Sequence, residues 1–308
     1  MLIAGPTASG KSALALDLVE KLARAGRPAA IVNADSMQVY SALRVLTARP
    51  DAGEMARAPH RLYGHVPPSE RYSVGRWLDD VRGVLAGFEA AGHLPVLVGG
   101  TGLYFRALTQ GLAALPEIPA AIREHWRGEM AAKGPAPLHR LLAGRDAGAA
   151  AMIRPGDRQR IVRALEVKEA TGRSILAWHR GQRGQQGQQG QGGQEGEPEP
   201  PLIDPATAWR LVVQPDRATL YARIERRFDA MVDAGALDEV AALLALDLDP
   251  DLPVMKAIGV RAFAEFLDNR IPLEEAIGKA KTESRQYAKR QMTWLRNQMD
   301  GWERPDPG

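Results

Sequence analysis

Met1-Leu-Ile-Ala-Gly-Pro-Thr-Ala-Ser-Gly-Lys-Ser12 runs from a short apolar strand into a glycine-rich turn and then into an amphipathic helix (Ala13, Leu14, Leu16, Leu18, Val19, Leu22). Within it, Gly5-x-x-x-x-Gly10-Lys11-Ser12 meets the P-loop pattern in full, in the strand-to-helix setting the pattern requires. Residues Gly5, Pro6, Thr7, Ala8, Ser9 and Gly10 form a loop whose backbone N–H groups can curl around phosphate oxygens. The helix N-terminus adds partial positive charge there. Lys11 is placed to neutralise the terminal phosphate, and the Ser12 hydroxyl to ligate Mg²⁺. The motif specifies a di- or triphosphate with a metal. It does not specify a nucleotide.

Further strands follow the same logic. Ala29-Ala-Ile-Val-Asn33 ends in Ala34-Asp-Ser-Met-Gln-Val39, and a helix is expected over Val74 to Ala91. Leu94-Pro-Val-Leu-Val98 then runs into Gly99-Gly-Thr-Gly-Leu103, and Trp209-Arg-Leu-Val-Val213 reads as a returning strand. Strands alternating with helices give an α/β fold, a P-loop NTPase-like core on a parallel sheet. Ligands in such sheets bind beyond the strand carboxyl ends, where the first three polar clusters fall. From Pro119 to Trp178 only helical patterns occur, so an all-helical domain is inserted. The expected division is a core of residues 1–112 and 202–308, a helical insertion of 113–180, and a loop of 181–201. That loop holds seven Gly and seven Gln with almost nothing apolar. It cannot bury enough surface to offset its ordering entropy and is expected to be disordered.

The 308 residues, 45% of them hydrophobic, suffice for one large domain or for one carrying a smaller one. With 40 Lys+Arg against 37 Asp+Glu, the net charge of +3 is too small to imply a nucleic-acid partner, so the placement of charge matters more. The chain has no cysteine, which excludes disulfides, thiolate zinc sites and Cys nucleophiles together. Its six histidines (His60, His65, His93, His125, His139, His179) show no paired ligand spacing and are read as scattered surface or structural residues. No apolar run approaches the roughly 18 residues of a membrane helix. The glycine-rich motif starts within five residues of Met1, so no signal peptide is expected. A cytoplasmic protein with no membrane partner is the expectation.

Asp35, just past the second strand, has two readings: a helix N-cap or turn residue, or a general base or metal ligand facing the P-loop. Thr101 lies in a Gly-Gly-Thr-Gly turn that could admit a phosphate or be a bare turn. Around Asp157-Arg158-Gln159-Arg160-Ile161-Val162-Arg163 a basic helix places Arg160 and Arg163 on one face. A solvated face is the usual explanation there, and equally for Arg123, Arg223, Arg226 and Arg227. Near the C-terminus Lys281, Arg285, Lys289 and Arg296 recur at helical spacing with Tyr287 and Trp294 among them. Cations interleaved with aromatics could contact RNA, or the aromatics could be core.

As a set, several motifs resemble those of the bacterial tRNA dimethylallyltransferases. They are the P-loop, Asp35-Ser-Met-Gln-Val-Tyr40, Gly99-Gly-Thr-Gly-Leu-Tyr104, Asp157-Arg-Gln-Arg-Ile-Val-Arg-Ala-Leu-Glu166 and Tyr287-Ala-Lys-Arg-Gln-Met-Thr-Trp294. They occur in the family's order and span nearly the whole chain apart from the Gly/Gln loop. The resemblance implies a dimethylallyl diphosphate donor and, as acceptor, N6 of adenosine 37 beside the anticodon in tRNAs reading codons that begin with U. It implies that Gly5 to Ser12, with Arg223, hold the donor's diphosphate, with Mg²⁺ at Ser12. Asp35 would take the N6 proton, with Ser36, Met37 and Gln38 beside the flipped adenine. Thr101 and Arg123 would line the reaction channel, and Gln159, Arg160, Ile161, Val162 and Arg163 would contact the anticodon stem-loop. The stripe of Lys281, Arg285 and Lys289, read from its own spacing, is expected to bind tRNA as well. A monomer is expected. The chain departs from the family at Val260, where Tyr is usual, and in the expanded Gly/Gln loop. It also cannot carry the zinc finger of eukaryotic relatives.

The implied chemistry suits these residues. An exocyclic adenine amine is a poor nucleophile, because its lone pair is delocalised into the ring. The allylic carbon offsets this by carrying positive charge as diphosphate departs. Stabilising that dianion falls to Lys11, Mg²⁺ and the loop amides, and proton removal to Asp35. A small-molecule or nucleoside kinase would explain the P-loop without the basic C-terminal stripe. Isopentenyl transfer to free adenine nucleotides would share the P-loop and Asp35. A nucleic-acid-binding NTPase would want an acid after a hydrophobic strand, where Leu94 to Val98 runs into glycines instead.

Overall fold

Strands β1 (Leu2–Ala4), β2 (Ala29–Asn33), β3 (His60–Arg61), β4 (Leu94–Gly99) and β5 (Arg210–Val212) form one parallel sheet in the order β3-β2-β4-β1-β5. The structure, a computed structural model, describes residues 1–112, 115, 117–178 and 200–305. The expected disorder of the Gly/Gln-rich loop, and His179, fall on residues outside that set apart from Pro200 and Pro201. β1 and β2 are buried along their whole length, which is why they read as continuous apolar runs rather than alternating ones. The two-residue β3 escaped sequence reading, because so short a pair carries no period.

Register decides where the loops emerge. Ala4 pairs with Gly99 on one side and Val212 on the other, while Asn33 pairs with Val98. The chain therefore leaves β1, β2 and β4 at one level, and the loops that start at Gly5, Ala34 and Gly100 share one edge. The crossing there is tight: a Cβ on Gly99 would lie 1.9 Å from the Ala34 carbonyl oxygen. Only glycine fits that approach.

Helices α1 (Lys11–Arg24), α2 (Ala52–Arg57), α3 (Val74–Ala91) and α4 (Gly102–Gln110) follow the first four strands. One apolar layer packs Leu16 and Val19 of α1 against Ile3, Ile31, Val96 and Val98 of the sheet. Trp77 of α3 stacks on Tyr104 of α4 at 4.2 Å and donates its indole N–H to the Asn33 carbonyl at 2.9 Å, fixing the end of β2.

Two compact units result: Met1–Thr109 with Leu202–Gly308, and Gln110–Pro201. The second contains α5 (Ala120–Lys133), α6 (Pro135–Arg145), α7 (Ala147–Met152) and α8 (Arg158–Thr171) around a core that includes Trp126, Leu138, Leu142, Ile161 and Leu165. In the first unit β5 leads into α9 (Arg217–Asp233), α10 (Ala236–Leu244), α11 (Val260–Leu267) and α12 (Leu273–Gln298). These helices form a second apolar cluster with Val39, Tyr40, Leu43 and Leu46. The Glu239 carboxylate of α10 accepts the backbone N–H groups of Arg44, Val45 and Leu46 at 2.8–3.0 Å. The long loop after β2 is thus anchored at a distance from the sheet. Among the described residues, no helix is long and apolar enough to cross a membrane.

Candidate active site

The phosphate loop is bent by Ala8 (φ 60°) and Gly10 (φ 93°), both in the left-handed region. Gly10 is also the N-cap of α1, with no side-chain cap, and the first turn of that helix holds no acid. Elsewhere Ser73 caps α3 and Asp216 caps α9 by accepting backbone N–H groups. The α1 amides are left for an anion instead. Ser9 Oγ is buried without a hydrogen-bond partner among the described residues, a further polar atom the loop leaves unmatched. Lys11 donates to the Pro6 carbonyl at 3.2 Å. Burial pushes its pKa from 10.5 down to about 8, against the pull of Asp35 and with the push of Arg227.

Three side chains from the C-terminal helices hold this loop. Arg223 of α9 donates to the Ser9 carbonyl at 3.1 Å, and Arg227, one turn on, donates to Thr7 Oγ1. Arg227 is itself held below its ordinary pKa by burial, with Asp35 opposing. Gln291 of α12 accepts the Thr7 N–H at 2.9 Å and donates to the Gly100 carbonyl at 3.0 Å. Arg227 and Gln291 had no functional role in the sequence. The four-residue spacing of Arg223 and Arg227 was the available signal, because it puts both on one helix face. Gln291 lay within the quoted Tyr287 to Trp294 motif, which carried no role for that side chain.

Asp35 is no helix cap, since α2 begins only at Ala52 and Asp51 caps it. It closes a turn instead: Oδ1 accepts the Met37 N–H at 3.0 Å, and the Asp35 N–H goes to Asn33 Oδ1 at 2.8 Å. Asn33 is fully buried and also donates to the Asp35 and Leu62 carbonyls, so the turn has a rigid root. Asp35 Oδ2 accepts no hydrogen bond from the described residues. It lies 3.3 Å from where a Cβ on Gly100 would stand, beside the turn that carries Thr101. Thr101 Oγ1 accepts the Ser36 N–H at 2.9 Å and donates to Ser36 Oγ at 3.2 Å, which ties the two turns together. Gln38 Nε2 is committed to the Thr47 and Ala48 carbonyls. Trp294 packs its ring against Gly102, where a Cβ would come within 2.1 Å of it. That aromatic braces the turn.

Arg123 and residues 159–163 belong to the helical unit. Arg123 lies in the first turn of α5 and makes no side-chain hydrogen bond or ion pair among the described residues. Asp157 caps α8 and pairs with the exposed Arg160 at 3.3 Å, while Arg163 reaches Glu166 at 3.3 Å. Gln159 is exposed. Ile161 is fully buried in that unit's core, and Val162 packs against the same core.

The C-terminal stripe also divides. Lys281 pairs with Asp229 at 2.6 Å and Glu225 at 3.5 Å, and Arg285 pairs with Glu225. Both are therefore bound to α9 acids. Lys289 is exposed and makes no ion pair among the described residues. Arg290 lies over the Tyr287 ring.

Among the described residues, no group of three or more His, Cys, Asp or Glu could hold a metal by itself. The exposed Ser12 hydroxyl and the uncommitted Asp35 oxygen are hard oxygen donors, the type Mg²⁺ takes when phosphates complete its shell. The residues fit such a metal.

Residues 38–298 match the family described as IPP transferase. The P-loop and Asp35 precede that segment. A tRNA dimethylallyltransferase of Chelativorans sp. (strain BNC1) is 54% identical over 303 residues, covering 98% of this chain and 97% of its own. One from Agrobacterium fabrum (strain C58 / ATCC 33970) is 53% identical over 308 residues, covering 100% and 96%. The structure of the full-length tRNA isopentenylpyrophosphate transferase of Bacillus halodurans is similar with a TM-score of 0.65 at 33% identity, over 98% of this chain and 88% of its own. A eukaryotic dimethylallyltransferase acting on tRNA gives a TM-score of 0.74 at 26% identity, over 96% and 69%.

Proposed function

The chain belongs to the IPP transferase family of tRNA dimethylallyltransferases, enzymes that prenylate adenosine 37 of tRNA, and on that premise we propose how its own residues carry the transfer. The donor is dimethylallyl diphosphate and the acceptor is N6 of the adenosine beside the anticodon, in tRNAs that read codons beginning with U. The bond from C1 of the donor to its bridging oxygen breaks, the bond from C1 to N6 forms, diphosphate leaves, and the N6 proton passes to the Asp35 carboxylate.

One observation carries this reading. A partly desolvated ammonium, Lys11, and a carboxylate oxygen with no hydrogen bond from the described residues, Asp35 Oδ2, share one edge of the sheet, and the carboxylate raises the proton affinity of the lysine. Leaving-group stabilisation is supported by the uncapped α1 amides, Lys11, Arg223 and Arg227. Mg²⁺ held by the Ser12 hydroxyl and diphosphate oxygens would supply further charge neutralisation. The base role is supported by the rigid root at Asn33, which fixes one Asp35 oxygen and leaves the other open. Thr101 and Ser36 set the wall beside the adenine, with Met37 and Gln38 following. The adenosine must leave its stack to arrive, at a cost of a few kcal/mol that is smaller in a loop than in a duplex. Arg123, Gln159, Arg160, Arg163 and Lys289 are assigned to the anticodon stem-loop, and the enzyme is assigned to the cytoplasm as a monomer.

The test is to incubate the protein with labelled dimethylallyl diphosphate and Mg²⁺ and to offer tRNA, AMP and ATP as acceptors. Label on a tRNA adenosine alone supports the reading. Preferential labelling of AMP or ATP would assign the activity to free nucleotides, and ATP hydrolysis coupled to product would make the P-loop a nucleotide site.

A further inference from the structure

Gln291 is nearly buried and spends both ends of its amide on backbone. Its Oε1 accepts the Thr7 N–H of the phosphate loop at 2.9 Å, and its Nε2 donates to the Gly100 carbonyl at 3.0 Å. Thr7 belongs to the loop that carries the diphosphate, and Gly100 to the turn that carries Thr101 and faces Asp35. Among the described residues, the direct backbone tie between these loops near the sheet is the Gly5 N–H to the Gly99 carbonyl at 3.3 Å. Beyond it, the side chain of Gln291 sets their spacing. A Cβ on Gly100 would lie 2.4 Å from Gln291 Nε2, so the turn has no side chain to fill the gap itself.

We infer that Gln291 is a positioning residue for the transfer: it holds the leaving-group loop at a fixed distance from the turn that seats Asp35 and Thr101. The inference rests on the prenyl-transfer reading above. The donor's C1 is fixed from the diphosphate side and the adenine N6 from the Asp35–Thr101 side. Relative motion of the two loops opens the gap between the reacting atoms without removing any group that binds either substrate. A misplacement of about 1 Å costs on the order of 10²-fold in rate. The amide is the one neutral side chain of this length that donates and accepts at once. Met matches its shape without either bond. Glu can accept from Thr7, and it donates to Gly100 only when protonated.

Single-turnover transfer and donor affinity are measured for wild type, Gln291→Met and Gln291→Glu, with melting temperature as the folding check. Gln291→Met should lose about 10²-fold in single-turnover rate, while donor affinity changes only a few-fold. The rate of Gln291→Glu divided by that of wild type should rise as pH falls, because the protonated carboxyl restores both bonds. Lys11, Asp35, Arg227 and Tyr287 are present in both proteins, so the ratio removes their contribution. A folded Gln291→Met enzyme of normal rate, or a pH-independent Gln291→Glu ratio, overturns the inference. Should Gln291→Met not fold, the Gln291→Glu ratio decides alone. Absence of prenyl transfer by wild type would instead sink the underlying reading, so the two failures are distinguishable.

Discussion

Lys11 and Asp35 oppose each other across the edge of the sheet. The carboxylate raises the proton affinity of the lysine, burial and Arg227 lower it, and the balance leaves the ammonium titrating at about 8. A half-buried cation of weakened proton affinity beside an uncapped helix start is a site suited to an anion. In the proposed function, the diphosphate of the donor is that anion.

Donor affinity should therefore fall as pH rises through about 8, where free Lys11 loses its proton. The stability effect has the opposite sign. A lysine whose folded pKa lies below its unfolded 10.5 costs stability in full below about 8, and the cost fades as pH rises towards 10.5. Lys11→Met should abolish transfer yet melt higher than wild type at neutral pH without donor, with the difference shrinking across that window. Calorimetric donor titrations and melting curves check both. A donor affinity flat across the window contradicts the assignment.

Asp35→Asn keeps the acceptor for the Met37 N–H and so preserves the turn, but cannot take a proton. Single-turnover transfer should fall by about 10²-fold or more, with tRNA and donor affinities within a few-fold. Recovery of most of the rate by raised Mg²⁺ would make Asp35 a metal ligand instead. Near-normal transfer by a well-folded variant would end the base assignment.

The Thr101 hydroxyl accepts from Ser36 N–H and donates to Ser36 Oγ. Thr101→Ser should retain near-normal transfer. Thr101→Ala leaves the Ser36 N–H without its partner, at about 1–3 kcal/mol, and should slow transfer by about tenfold or more. Equal rates for the two variants would remove the hydroxyl from the site.

The cations of α12 should separate in a salt titration. Lys289→Gln should weaken tRNA binding and flatten its log–log salt slope by about 0.7–0.9, the yield of one lost phosphate contact. Lys281→Gln and Arg285→Gln should lower the melting temperature, because each strips a partner from Glu225 or Asp229. Their effect on the salt slope should be smaller. A larger slope change at Lys281 than at Lys289 would show that the α9 pairs open for RNA.

Sequence alone determined what is contiguous. The P-loop could be read from eight consecutive residues because its geometry is local: two glycines, a lysine and a hydroxyl on a strand-to-helix turn. The buried parallel strands Ala29–Asn33 and Leu94–Gly99 and the helix Val74–Ala91 were legible from apolar runs and period. Tertiary structure decided everything that depends on what covers a face. Helical spacing lined up Lys281, Arg285 and Lys289, but a period says nothing of the counter-charge opposite, and only packing showed that α9 acids neutralise the first two. Ile161 sat in a basic motif and proved to be core, because a helix of arginines still needs one apolar face. Gln291 and Thr7 are 284 residues apart and meet because strand register sets the Thr7 and Gly100 loops at one level while Gln291 reaches both from α12. The Tyr287 to Trp294 motif contains Gln291, but a motif does not name the partner 284 residues away, which only the packing of α12 supplies.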